Sequence, residues 1–149
     1  MILIREAKPG DEKDIFSMIK ELALYEKEPD EVVNNEQELC NHLFHEKICH
    51  AIVAEKKNEI IGFALYYMSY STWKGHCLYL EDFYVKENAR QQGVGSKLYN
   101  AVIDIAKLKK VRRMDWQVLD WNKPAIDFYV KHSAELDGQW INGRLNFKY

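Results

Sequence analysis

An apolar-rich run, Ile2 to Ala7, opens the chain and reads as a first β-strand. Pro9-Gly10-Asp11 then makes a turn, with Asp11 placed to cap a helix. Ile15, Met18, Ile19 and Leu22 recur at helical spacing, so the helix presents one apolar face and ends before Pro29. A second, weaker helix is predicted over 36–44. Ala51 to Glu55 and Ile60 to Met68 flank the polar Lys56-Lys57-Asn58, a hairpin signal. Cys77 to Val85 reads as the next strand. Leu98, Val102 and Ile105 share a helix face after it, Met114 to Leu119 is strand-like, and Asn122 with Pro124 starts another helix. Turns at Gly138 and Gly143 predict two short strands in the tail.

The resulting order is β-α-α-β-β-β-α-β-α-β-β, an α/β (α+β) pattern. Such a pattern predicts a mixed sheet of about six or seven strands and about four helices. Strand, loop, helix and strand across 77–119 form a crossover, so its two strands are expected to be parallel. With no repeat, linker or low-complexity stretch, residues 1–149 read as one domain with enough apolar material for a core.

A net charge of −2 gives no general attraction to nucleic acid or to an anionic membrane. The local basic stretch Lys107, Lys109, Lys110, Arg112 and Arg113 reads as cations at a helix C-terminus. Three cysteines, Cys40, Cys49 and Cys77, form no C-x-x-C pair, and Arg5 and Glu6 interrupt the opening apolar residues at once. A soluble, cytoplasmic protein with reduced thiols is the expectation. Cys40, His42, His45, Cys49 and His50 crowd together, but their spacing fits no zinc pattern, so no metal is expected.

The chemistry-bearing feature is Arg90-Gln-Gln-Gly-Val-Gly-Ser96, between a strand and a helix. A dinucleotide fingerprint would need glycine at Leu98, and a P-loop would need a different spacing before its lysine. What remains is Arg-x-x-Gly-x-Gly at positions 90, 93 and 95. Gly93 and Gly95 are expected to let the backbone turn and expose N–H groups, joined by those of the helix mouth. A pyrophosphate suits such a place.

These residues, with further segments, resemble the GCN5-related N-acetyltransferase (GNAT) superfamily, in its diamine (spermidine/spermine) and thialysine acetyltransferase branch. The segments are Ile19-Lys-Glu-Leu-Ala23 with Tyr25-Glu26, Tyr70-Ser-Thr-Trp-Lys-Gly75, Tyr79-Leu-Glu-Asp82, the Arg90–Ser96 loop, Val118-Leu-Asp-Trp-Asn122 and Asp127-Phe-Tyr129. The resemblance implies transfer of an acetyl group from acetyl-CoA to a small primary amine, in a single domain and a homodimer. It implies acetyl-CoA contacts at Phe83, Tyr84 and Val85, at Arg90, Gln91, Gln92, Gly93, Val94, Gly95 and Ser96, and at Asn122, Lys123, Pro124 and Ala125. It implies amine contacts at Tyr25, Glu26, Glu81, Asp82 and Trp73, and Tyr129 as general acid. Ser71 and Thr72 stand where the polyamine enzymes tend to carry an acidic residue, which weakens the hold on a long polycation. Gln91 and Ser133 replace glycines common in the family.

A lysine-like ammonium titrates near ~10.4, so freeing its lone pair at neutral pH costs roughly 4 kcal/mol. A proton acceptor is therefore required, and Glu81 is the candidate, with backbone N–H groups near Val85 for the oxyanion. Read from residues alone, Tyr129 also suits the core, Glu81 and Asp82 a solvated strand end, and Asn122 a helix cap. Acetylation of a protein amine and a CoA-binding sensor without catalysis are the rival functions.

Overall fold

The computed structural model describes all 149 residues. The elements run β1 (Leu3–Glu6), α1 (Glu12–Tyr25), α2 (Glu36–Cys40), β2 (His50–Lys56), β3 (Glu59–Ser71), β4 (Gly75–Val85), α3 (Val94–Leu108), β5 (Met114–Asp115) and α4 (Lys123–Lys131). The chain packs as two compact units, Met1–Gln117 and Val118–Tyr149.

The first unit holds a five-stranded sheet in sequential order, β1 to β5. Strands β1 to β4 pair antiparallel, and β4 pairs β5 in parallel, as the crossover through α3 requires. The sheet is smaller than the sequence suggested. Residues 134–149 contain no strand, so the turns at Gly138 and Gly143 join no sheet. The predicted strand over 114–119 shrinks to Met114–Asp115, because only Leu78 and Tyr79 of β4 have partners there. The predicted helix over 36–44 is α2 followed by a wider π turn at Asn41–His45.

Side chains from β3 alternate between two layers. On one face Phe63 and Leu65 join Ile15, Phe16 and Met18 of α1, Leu39 of α2 and Tyr84 of β4 in one buried cluster. On the other, α3 buries Leu98, Tyr99, Val102 and Ala106; Ala106, not Ile105, closes its apolar stripe. Gly62 leaves room for Leu98 of that helix. A Cβ there would lie 3.0 Å from the Tyr84 carbonyl and 3.1 Å from Leu98 Cδ1. Gly62→Ala is therefore expected to destabilise by about 1–3 kcal/mol, read as a lower denaturation midpoint.

Asp11 does not cap α1 through its side chain. Its buried carboxylate instead accepts from the Lys8 amide at 2.8 Å and from Arg5 Nη1 at 2.7 Å. The charge of Arg5 offsets burial and holds Asp11 below the usual carboxylate range. The expected hairpin forms with Lys57 and Asn58 as its two turn residues, both at positive φ (52° and 63°), the conformation of a type I′ turn.

The second unit contains α4 and an irregular tail. Asn122 Oδ1 accepts from the Ala125 amide at 3.3 Å, and Pro124 sits in the first turn. The helix ends with Ser133 N–H on Val130 O and Ala134 N–H on Tyr129 O, each 3.0 Å. Ser133 takes φ +65° to make this closure, a place where glycine carries no Cβ penalty.

Candidate active site

The loop before α3 has the geometry of an anion cradle. Gly93 adopts φ +79° at the helix N-cap and offers no side-chain cap, and a Cβ there would meet nothing within 4 Å. The first α-helical bond runs from Lys97 N–H to Gly93 O at 3.1 Å. The amides of Val94, Gly95 and Ser96 precede it and have no intrahelical acceptor. Only one of the two glycines makes the turn: Gly95 lies inside the first turn of α3, and the second left-handed residue of the loop is Gln91, at φ +65°. Gln91 thus occupies a conformation that glycine tolerates better.

Arg90 is engaged by protein groups. Its Nε donates to Val85 O at 3.0 Å, and its guanidinium lies over the rings of Tyr25 and Tyr84, at 5.6 and 5.4 Å. It ties the end of α1 to the end of β4. Lys56, which the sequence reading missed, reaches the loop instead: its Nζ donates to Gln92 Oε1 at 3.0 Å. Nothing local marks Lys56, since the β2–β3 hairpin alone brings it there.

The acidic residues meet through a defect in the sheet. Leu65 pairs with Asp82 and Tyr66 with Leu80, leaving Glu81 as an extra residue, a β-bulge. Without it, Asp82 and Tyr79 would face opposite ways. With it, Tyr79 (opposite Tyr67) and Asp82 (opposite Leu65) share the face covered by α1. The charge of Glu81 acts on Tyr67, Tyr79, Asp82 and Glu26, which places it among them. Burial, then Glu81 and Glu26, push the Asp82 carboxyl up to about 7. Burial and Glu81 also raise Glu26. No cation offsets either group.

A carboxyl raised this way has a defined pH signature. The unfolded chain loses the Asp82 proton near the ordinary carboxylate value, whereas the folded chain keeps it to about 7. Stability contributed by this group is complete below the unfolded value and is lost as pH rises toward 7. Asp82→Asn is expected to change stability little at pH 4, to stabilise increasingly up to pH 7, by roughly 4 kcal/mol at most, and then to level off. Thermal denaturation of both proteins across that range measures it.

The remaining residues are placed as follows. Phe83 points to the α3 face, stacked on Tyr99 with centroids 6.0 Å apart. Tyr84 is in the core, its hydroxyl 3.2 Å from Glu21 Oε1. Trp73 is 78% exposed in the β3–β4 turn. Six strand residues separate that turn from Glu81, about 20 Å, so Trp73 does not lie beside the carboxylates. In the second unit Tyr129 is buried on α4, edge-on to Phe128 at 5.6 Å, and Lys123 pairs with Asp127 at 3.2 Å. No group of three His, Cys, Asp or Glu side chains is arranged to hold a metal ion, and His42 lies instead 3.6 Å from Glu38.

A sequence model of the Acetyltransferase (GNAT) family matches residues 13–133. The chain belongs to that family. This acetyltransferase is 44% identical over 143 residues to thialysine N-epsilon-acetyltransferase of Bos taurus, covering 90% of this chain and 84% of the relative. It is 32% identical to spermidine/spermine N(1)-acetyltransferase-like protein 1 of Homo sapiens, over 88% of this chain and 20% of that protein. Among solved structures, an integron cassette protein from V. cholerae aligns with a TM-score of 0.78 at 26% identity, covering 98% of this chain and 93% of the other. As a GNAT enzyme the protein takes its acetyl group from acetyl-CoA and passes it to an amine. The loop at the mouth of α3 fits the demand that family membership makes, a place for a pyrophosphate.

Proposed function

We propose that residues 1–149 act as one catalytic domain that acetylates the terminal amine of a small, lysine-like molecule such as thialysine. The observation that carries this reading is the bulge at Glu81, which gathers Glu26, Glu81 and Asp82 without a cation among them. An arriving ammonium is the missing counter-charge. The 44% identity to a thialysine enzyme, against 32% to the polyamine-type relative, favours the amino acid.

In this reading the Val94, Gly95 and Ser96 amides hold the pyrophosphate, with Gln91, Gln92 and Gly93 shaping the loop. Lys56 adds a cation, and Asn122, Lys123, Pro124 and Ala125 meet the rest of the cofactor. Phe83, Tyr84 and Val85 border the thioester, where β4 runs on past its last partner in β5. Glu81 takes the ammonium proton, directly or through water, and the freed amine attacks the thioester carbon in a ternary complex. A backbone N–H near Val85 stabilises the oxyanion. The tetrahedral intermediate expels the CoA thiolate, which Tyr129 receives by hydrogen bonding, and the proton shed by the new amide nitrogen passes to that thiolate. Tyr25, Glu26 and Asp82 hold the amine.

The exposed apolar side chains of Trp140, Ile141, Leu145 and Phe147 in the tail support a homodimer. Free thiols at Cys40, Cys49 and Cys77, with no helix long and apolar enough to cross a membrane, support a cytoplasmic enzyme. Thiol release from acetyl-CoA, measured with thialysine, lysine, ornithine, putrescine, spermidine and spermine, tests the substrate. Turnover highest on thialysine or lysine is expected; turnover highest on spermine, or on none, would reject the reading.

A further inference from the structure

The face that carries the carboxylates continues onto β5. Tyr79 pairs in register with Asp115, and parallel partners project the same way. The charge of Asp115 contributes to raising the Tyr79 hydroxyl to about 12, after burial, Glu81 and Tyr67, so Asp115 faces the same patch. Tyr67 and Tyr79 stack across β3 and β4, with centroids 5.2 Å apart, and form a half-buried aromatic floor between Glu81 and Asp115.

Asp115 is not alone. Arg113 lies two residues before it, and its Nε is 2.9 Å from the Asp115 carboxylate. A guanidinium has five N–H donors, and this contact uses one. The other nitrogens of Arg113 meet no protein acceptor, and its side chain is 42% exposed. Expected at a helix end from the sequence, Arg113 in fact lies beyond α3, beside the strand that borders the amine face.

We infer that Arg113 and Asp115 read the head group of an α-amino acid substrate: the Arg113 fork takes the α-carboxylate and Asp115 the α-ammonium. The methylene chain then lies across Tyr67 and Tyr79, and the terminal amine reaches Glu81. The spacing suits it. Two residues along β4 and one strand across separate Glu81 from Asp115 by roughly 8 Å between Cα atoms, a gap that a four-carbon side chain spans. A carboxylate engaged by a planar guanidinium is a strong, directional contact. A diamine has no group for that fork, so the pair selects amino acids over polyamines. The inference rests on the proposed amine site and extends it.

Lysine and cadaverine test it, because they share the reacting amine and the chain and differ only in the α-carboxylate. Steady-state kinetics of the unaltered enzyme should favour lysine in kcat/KM. In Arg113→Gln the lysine-to-cadaverine ratio should fall about tenfold, through KM for lysine and not kcat. Asp115→Asn should instead raise KM for both amines, since cadaverine keeps the ammonium that Asp115 takes. A ratio unchanged in Arg113→Gln, or a KM for both amines unchanged in Asp115→Asn, with unaltered melting temperatures confirming that the variants fold, overturns the inference. If the unaltered enzyme acetylates neither amine, the amine site itself is wrong and the inference falls with it. If it acetylates both and Arg113→Gln loses both equally, only the head-group role is wrong.

Discussion

Tyr129→Phe is expected to lower kcat by about two to three orders of magnitude while KM for acetyl-CoA changes little. The departing CoA sulfur is a thiolate with a pKa near ~8.5 on the cysteine scale, and a tyrosine hydroxyl titrates near ~10. Full proton transfer from an ordinary tyrosine hydroxyl is thus slightly uphill, and the expected benefit of Tyr129 comes from a hydrogen bond to charge that appears only as the C–S bond breaks. Interactions of that kind act on kcat and leave ground-state binding alone. The benzene ring is retained in the substitution, so the buried position on α4 stays filled. Steady-state rates with saturating amine measure the effect. A kcat within twofold of the parent would remove Tyr129 from the reaction.

Glu81→Gln is the second large effect. Loss of its charge withdraws both the proton acceptor and part of the attraction for the ammonium, and kcat/KM for lysine should fall about a hundredfold. Its pH profile should move as well. Glu81 is among the groups that raise Asp82 toward 7, second only to burial, so without it Asp82 ionises at lower pH. Whatever activity remains should therefore rise with pH over a more acidic range than in the parent. A profile unmoved by the substitution would mean that the two carboxylates do not share one site.

Much of this was legible in the chain, for a local reason. The Arg90–Ser96 loop lies within one strand-loop-helix segment, so spacing alone placed it at the mouth of α3, with Gly93 at the N-cap. Asn122 likewise caps α4 as its sequence context required. What was not legible depends on strands paired from distant segments. The bulge at Glu81 exists only in the register of β4 against β3, and Tyr67, Asp115 and Lys56 join the site only through such pairing. Trp73 is distant from Glu81 because β3 and β4 run to 13 and 11 residues, carrying the turn to the far end of a long hairpin. The tail carries turn glycines at 138 and 143 yet pairs with no strand, since turn chemistry specifies where a chain bends and not what it bends toward.

The most direct measurement follows isotope-labelled acetyl-CoA through a single incubation with thialysine and the purified enzyme, analysing thiol and amine products by mass spectrometry. Labelled acetyl should appear on the terminal nitrogen of thialysine, one for each thiol released, and both should vanish when the amine is omitted. Thiol released without an acetylated amine, or acetyl-CoA recovered intact, would contradict the account.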